Sequence, residues 1–447
     1  MTEALLYLSG LTGFLMAWAI GAQDVSNALG TCVGSKAITI PQAIVIGGVF
    51  EFLGSLMGGD VAHTISKGMV HSKAIESNVE LYVLLMFCTL LGTFCWLAFA
   101  TYFSLPVSTT HSLVGSILGL GIVTYPVKDL NTFTLMRILT SWVTSPLLGF
   151  VISYSIFFVI HRRILTRPQP EREAMRYLPY FYGFTLGILT LFMCRAGPQA
   201  FRTTLLRASA VCFMVCIIVG GLVHMRLKQA RDKVGTPKAK SMGLQSINLG
   251  PVTDNPLTAK EYSDDDVEDT RTSNAEAHFS GLMILTACVV AFAHGSNDIS
   301  NAIGPFSVIM EASMDGHISA NKPIPKWVLV CGGVGIVVGL ATYGHRVMAT
   351  VGEKITKLTF TRGFAAQIGT ALTVLSATIM GLSVSTTHCL IGAIAGVAMV
   401  ESVSKINTGT LKKIALSWVV TMPASALCSL ASLWITYLVL DPELRPH

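Results

Sequence analysis

Long apolar runs recur along nearly the whole chain, broken by short polar stretches and by one long one. Twelve of these runs approach the ~20 residues that a helix needs to cross about 30 Å of hydrocarbon. They lie near 4–30, 40–59, 81–103, 107–125, 135–161, 177–194 and 203–225, then near 279–310, 326–345, 364–381, 384–404 and 411–439. The pattern predicts an all-α polytopic membrane protein with about 12 transmembrane helices. The long polar stretch, 226–277, opens with Arg226, Lys228, Arg231, Lys233, Lys238 and Lys240 and closes with Asp264, Asp265, Asp266, Glu268 and Asp269. With its Gly, Pro, Ser and Asn content it reads as a flexible loop.

The basic residues assign sides, because Lys and Arg concentrate in cytosolic loops. The loop 161–176 carries Arg162, Arg163, Arg167, Arg172 and Arg176. Two spans separate it from the basic start of the long loop, so both are expected in the cytosol. Counting outward, 346–363 (Arg346, Lys354, Lys357, Arg362) and 405–413 (Lys405, Lys412, Lys413) fall on the same side. Five crossings precede the 161–176 loop, so both termini are expected outside, in the plasma membrane by default.

The chain also repeats itself. The segment Gly21-Ala22-Gln23-Asp24-Val25-Ser26-Asn27-Ala28-Leu29-Gly30 returns as Gly295-Ser296-Asn297-Asp298-Ile299-Ser300-Asn301-Ala302-Ile303-Gly304. A second run, Val107-Ser108-Thr109-Thr110-His111, returns as Val384-Ser385-Thr386-Thr387-His388, and Ser141-Trp142-Val143 returns as Ser417-Trp418-Val419. The offsets are 274, 277 and 276 residues, so the matches are ordered and nearly in register. The expected organisation is a first repeat over 1–161, two linking spans over 162–225, a cytosolic loop over 226–278 and a second repeat over 279–440. Seven spans precede the second unit, and an odd number starts it on the opposite side. Inverted five-span repeats that meet at the midplane, with discontinuous helices at a central site, are a common transporter plan.

Composition narrows the class further. Only 13% of the 447 residues are charged and 52% are hydrophobic, whereas soluble domains carry about a quarter charged residues. The net charge of +6 therefore carries no nucleic-acid signal and matters only through its placement. The ten Cys fall mostly within apolar runs, without zinc or disulfide spacing, and read as small core residues. The N-terminus lacks a basic n-region and a cleavage site and reads as a retained first span.

Asp24 and Asp298 lie within apolar sequence, and each is followed three residues later by Asn, at Asn27 and Asn301. Residues three apart share a helix face, so each carboxylate and amide would point into one cavity. Ionisable groups at membrane depth are costly and usually functional, although one helix-end Asp alone would pass as a cap. Gln23 and Asn297 add polar side chains at matching positions, and the flanking Gly residues permit either close backbone approach or a helix break. The runs Ser108-Thr109-Thr110 and Ser385-Thr386-Thr387 begin spans, the first just after Pro106. Free amides at a helix start, with these hydroxyls, suit a tetrahedral oxyanion, while an ordinary N-cap would use the same residues. His111 and His388 are expected as helix-end donors. Glu51 lies in the second span and suggests a cation site, but its counterpart after Gly332-Gly333-Val334 has no carboxylate. An oxyanion beside buried carboxylates requires positive charge, supplied by Na⁺ at Asp24 and Asp298 or by protons. An inside-negative potential also opposes anion entry by about 2.3 kcal/mol per charge per 100 mV.

The duplicated Gly21–Gly30 and Gly295–Gly304 motifs resemble the signature of the inorganic phosphate transporter (PiT) family, and the Ser-Thr-Thr-His runs resemble its second repeated motif. The likeness covers about 1–161 and 279–440. It implies phosphate import in symport with Na⁺ or H⁺, a homodimer and no enzymatic cofactor. It also implies that Asp24, Asp298, Asn27, Asn301 and the hydroxyl runs form the phosphate and cation sites. Two positions depart from the family pattern. Gln23 replaces the usual Asn, and Gln367 stands where animal members carry a second glutamate, so the cation site loses one carboxylate relative to those members. Sulfate or another oxyanion is the runner-up cargo, and a passive channel would also fit a duplicated topology. An intramembrane aspartyl protease is disfavoured, because it needs two distinct motifs and no Gly-x-Gly-Asp sequence occurs.

Overall fold

A computed structural model describes residues 3–103, 105, 107–197, 201–234, 272–319, 322–345, 358–401 and 408–440. Among these the chain is helical with no strand. The first unit contains α1 (Glu3–Gly34), α2 (Ile40–Ser55), α3 (Gly59–Gly68), α4 (Ser72–Ser77), α5 (Val79–Tyr102), α6 (Thr109–Thr124) and α7 (Thr132–Ile160). Next come α8 (Pro170–Ala196) and α9 (Leu205–Val234). The second unit contains α10 (Ser280–Asp315), α11 (Lys326–Gly339), α12 (Phe360–Ile379), α13 (Thr386–Glu401) and α14 (Thr408–Leu440).

Among the described residues eight helical segments are long and apolar enough to cross a membrane, and the protein is an all-α integral membrane protein. Three of the expected spans are shorter. Helices α2, α6 and α13 have 16 residues each, about 24 Å, which falls short of the hydrocarbon thickness. The 226–277 stretch differs from expectation at both of its described ends. Helix α9 runs on to Val234 and residues 272–277 are helical, because Lys, Arg and Gln sustain a helix once an apolar stretch has nucleated it. Residues 235–271, with the acidic cluster, and Pro106 lie outside the described residues.

The two long helices α1 and α10 pack antiparallel. Gly10 and Gly13 face Phe306, while Cys32 Sγ reaches the carbonyl of Met283 at 3.7 Å. Neither helix breaks at its Gly-x-x-Asp motif, so of the two roles left open for the flanking glycines it is close approach that they take. The glycines instead permit backbone contact: a Cβ on Gly21 would stand 1.9 Å from Ile336 O in α11, and one on Gly295 would stand 2.2 Å from Glu51 O in α2. The interruptions fall at the α5–α6 and α12–α13 junctions, which form two hairpins. Asn78 caps the start of α5 and Thr359 that of α12, and Ser108 and Ser385 cap the helices that return.

Both hairpin tips end at the middle of the long helices. Gln23 Nε2 donates to Leu105 O at 2.5 Å, and Asn297 Nδ2 donates to Leu382 O at 3.1 Å. The tips also touch each other, with Thr110 Oγ1 donating to Val384 O at 3.2 Å. The α12–α13 hairpin lies along the first half of α10, where Thr286 bonds Gln367. The α5–α6 hairpin lies toward the second half of α10, where Tyr82 bonds Ser66 O and Ser66 abuts Gly304. The hairpins therefore enter from opposite ends. A hairpin that enters and leaves by one end changes the crossing count by two and leaves the parity of everything after it unchanged. Helix α14 backs the first hairpin, with Gly115 against Met422 and Ser116 Oγ 2.6 Å from Ser425 Oγ. Helix α7 backs the second, with Gly392 against Pro146 and Ser153 Oγ donating to Ala393 O at 2.7 Å.

Candidate functional site

The two Asp-x-x-Asn faces and the two threonine pairs meet where the hairpin tips reach α1 and α10. Asp24 and Asp298 are 2% and 1% exposed, which places both carboxylates inside the protein. Thr109 Oγ1 donates to Asp24 Oδ2 at 2.7 Å, and Thr386 Oγ1 donates to Asp298 Oδ2 at 3.0 Å. The units also cross over. Asn27 Nδ2 donates to Thr387 Oγ1 at 2.8 Å, and Asn301 Nδ2 donates to Thr110 Oγ1 at 3.3 Å. Asp24 Oδ1 accepts from Asn27 (3.1 Å) and from Thr387 (3.1 Å), so it is held by both halves. The Thr–Asp and Asn–Thr bonds thus recur in both halves, whereas the two bonds to Asp24 Oδ1 have no counterpart at Asp298 Oδ1.

The hydroxyl runs divide their labour. Ser108 and Ser385 accept from the amides of His111 and His388, both at 3.2 Å, and so cap α6 and α13. The threonines are left to face the aspartates. The cap reading therefore describes Ser108 and Ser385. His111 and His388 act otherwise than expected. Their rings meet edge to face at 4.2 Å and lie tilted against Trp142 (3.8 Å) and Trp418 (3.5 Å), instead of capping their helices. Burial among aromatic faces keeps them from the helix-end carbonyls.

Three further expected residues are placed away from the carboxylates. Gln23 accepts from Thr101 (3.0 Å) as well as donating to Leu105 O, and Asn297 donates to Thr378 (2.9 Å) as well as to Leu382 O. Both amides fasten hairpin tips, a task that needs a donor and an acceptor at once. Gln367 accepts from Thr286 (2.7 Å) and donates to Thr31 (2.6 Å) and Ala28 O (3.2 Å), one to two turns along α1 from Asp24.

The sequence reading missed His294. Its Nδ1 lies 2.6 Å from Glu51 Oε2 and its Nε2 lies 2.9 Å from Asp298 Oδ2, which links two carboxylates across α2 and α10. The signal was present, because His294 stands four residues before Asp298 and so shares its face. In the first unit the same offset leads to Ile20, and the contact equivalent to that of Gly295 with Glu51 is that of Gly21 with Ile336. The polar pair His294–Glu51 therefore corresponds to the apolar residues Ile20 and Ile336.

The centre is short of positive charge. Ligand atoms of Asp24, His294 and Asp298 all lie within 4.8 Å of one another. Two carboxylates at that range repel by about 3 kcal/mol at the effective dielectric suited to protein sites. Asp298 Oδ1, Asn301 Oδ1 and Glu51 Oε1 are buried oxygens with no hydrogen-bond partner among the described residues. Carboxylate and amide oxygens are the ligand type that hard cations take.

Comparison with known proteins gives a consistent picture. A family model described as the phosphate transporter family matches residues 20–429. The chain is 35% identical over 430 residues to a putative phosphate permease of Pyrococcus furiosus, covering 95% of this chain and 94% of that one. It is 36% identical over 442 residues to the chloroplastic inorganic phosphate transporter 2-1 of Arabidopsis thaliana, covering 97% and 72%. A solved structure described as the sodium-dependent phosphate transporter superposes with a TM-score of 0.83 at 33% identity, covering 98% of this chain and 100% of that one.

Proposed function

Because the chain belongs to the phosphate transporter family, we propose that it imports inorganic phosphate in symport with Na⁺, as a secondary active transporter and not an enzyme. The observation that carries this reading is the pairwise convergence of Asp24, Asn27 and Thr387 with Asp298, Asn301 and Thr110 in one buried centre. Threonine hydroxyls and asparagine amides supply neutral donors to a tetrahedral oxyanion. The carboxylates beside them make binding unfavourable until cations arrive, and that dependence is the physical origin of coupling. The open oxygens of Asp298, Asn301 and Glu51 support Na⁺ as the coupling ion, since carboxylate and amide oxygens are the ligands a hard cation takes. The name of the structural relative supports the same ion.

The antiparallel α1 and α10 and the opposed hairpins support the inverted-repeat plan and an alternating exposure of the centre to either end. Ser35, His161, Thr272, Thr359, Arg362 and Glu401 line one cavity of about 730 Å³. That places the ends of several basic loops at one face, which we assign to the cytosol. Purified protein in vesicles should take up labelled phosphate when Na⁺ is outside and fail when choline replaces it, at both pH 6 and pH 8. Uptake that follows the pH gradient and ignores Na⁺ would make the protein a proton symporter. Asp24→Asn and Asp298→Asn should each abolish gradient-driven uptake, and arsenate but not sulfate should compete.

A further inference from the structure

Helices α8 and α9 form a second polar site, remote from the central one. Helix α9 lies along α8 and leaves most of its apolar surface uncovered. The pair is antiparallel in fixed register: Pro179 faces Gly220, Gly183 faces Cys216, and Gly187 faces Cys212. Continuing that register toward the basic face brings Met175 opposite His224 and Arg172 opposite Leu227, with Arg176 and Lys228 one residue further along each helix. A groove of about 1120 Å³ runs between the helices there. Its outer end is lined by Arg172, Arg176, His224 and Lys228, and its inner wall by Tyr180, Phe213 and Ile217. Gly221 has nothing within 4 Å of where a Cβ would stand, so the trough is open at its middle.

We propose that this groove binds an anionic phospholipid. Arg172, Arg176 and Lys228 hold the phosphodiester, and one acyl chain lies in the trough past Gly221. The charge balance fits, because the one acid at the mouth, Glu173, sits 3.8 Å from Arg176 in an exposed pair that competes weakly with a phosphate. Guanidinium groups match phosphate oxygens two at a time. The depth fits as well. From Lys228 to Phe213 the helix descends about 22 Å, which exceeds the ~15 Å half-thickness of the hydrocarbon. Basic pockets between helices on the cytoplasmic side hold anionic headgroups in this manner. A second copy of the chain is a poor occupant, since a twofold contact would set the same basic cluster against itself. Free phosphate would gain nothing from the apolar wall.

The test uses the full-length protein in neutral detergent, with native mass spectrometry after addition of phosphatidylglycerol, phosphatidylcholine, glycerol phosphate or inorganic phosphate. Phosphatidylglycerol is expected to bind and phosphatidylcholine is not. Each charge removed should weaken binding about fivefold, so R172Q/R176Q/K228Q should lose about a hundredfold. Gly221→Phe, which keeps every charge and fills the trough, should also lose the lipid, and both variants should elute as wild type on size exclusion. Equal binding of the two lipids, full binding by either variant, displacement by the soluble anions, or lipid uptake that merely follows dimer content would overturn the proposal.

Discussion

Replacing Gly295 by Ala tests whether close helix contact is what holds the polar bridge at the centre. The new Cβ would stand 2.2 Å from Glu51 O, and ordinary contact begins near 3.4 Å, so α10 and α2 must part by about 1.2 Å. The obstacle is backbone, which cannot swing away as a side chain would. The same displacement stretches the 2.6 Å His294–Glu51 bond, formed by residues adjoining the contact, out of hydrogen-bonding range. Overpacking costs about 1–3 kcal/mol, and a buried polar pair left unsatisfied costs a further ~1–3 kcal/mol, or more if charged. Gly21→Ala supplies the control, because its Cβ would stand 1.9 Å from Ile336 O, where no polar bond is at stake. Gly59→Ala, with nothing within 4 Å, should change stability by less than about 0.5 kcal/mol. Denaturant unfolding in detergent should rank the proteins as wild type and Gly59→Ala, then Gly21→Ala, then Gly295→Ala. Phosphate uptake by Gly295→Ala should fall more than about tenfold, which is worth about 1.4 kcal/mol. Equal stability of Gly21→Ala and Gly295→Ala, or normal uptake by Gly295→Ala, would refute the reasoning.

Thr109→Val and Thr386→Val each remove a hydroxyl donated to a buried aspartate. A hydrogen bond to a charged group contributes about 1.5–3 kcal/mol, so each should raise the apparent KM for phosphate or Na⁺ at least about tenfold, and the two should act alike in uptake assays. His111→Phe preserves ring packing between Trp142 and His388 and should cost less than about 1.5 kcal/mol. His111→Ala, which opens a cavity, should cost about 3 kcal/mol or more; similar losses in thermal unfolding would return the imidazole to a hydrogen-bonding role. At the base of the second hairpin Arg362 pairs with Glu401. Arg362→Glu should slow uptake, and adding Glu401→Arg should restore at least half of the rate if charge pairing is what holds that base.

The order and length of the apolar runs and the repeated motifs are properties of one dimension, and the sequence states them directly. Twelve runs map onto helices, most with ends that shift by a few residues, while α8 starts seven residues before its run and α9 ends nine residues after its own. The parity argument is unaffected by the hairpins, because a hairpin and a pair of crossings return the chain to the same side. Asp24, Asn27, Thr109 and their repeats were legible because duplication marked them twice. Glu51 was legible as a lone carboxylate in an apolar run, but its partner His294 was not, because neither has a polar counterpart in the other unit and only the docking of α2 on α10 brings them to 2.6 Å. The roles of Gln23, Asn297 and Gln367 were likewise set by neighbours about 80 to 340 residues away: Thr101, Thr378 and Ala28. A polar residue in an apolar run announces only that it must find a partner, since leaving it bare is costly. Which partner it finds, an ion or a hairpin tip, depends on packing across the pseudo-symmetry, and that is decided by the tertiary structure.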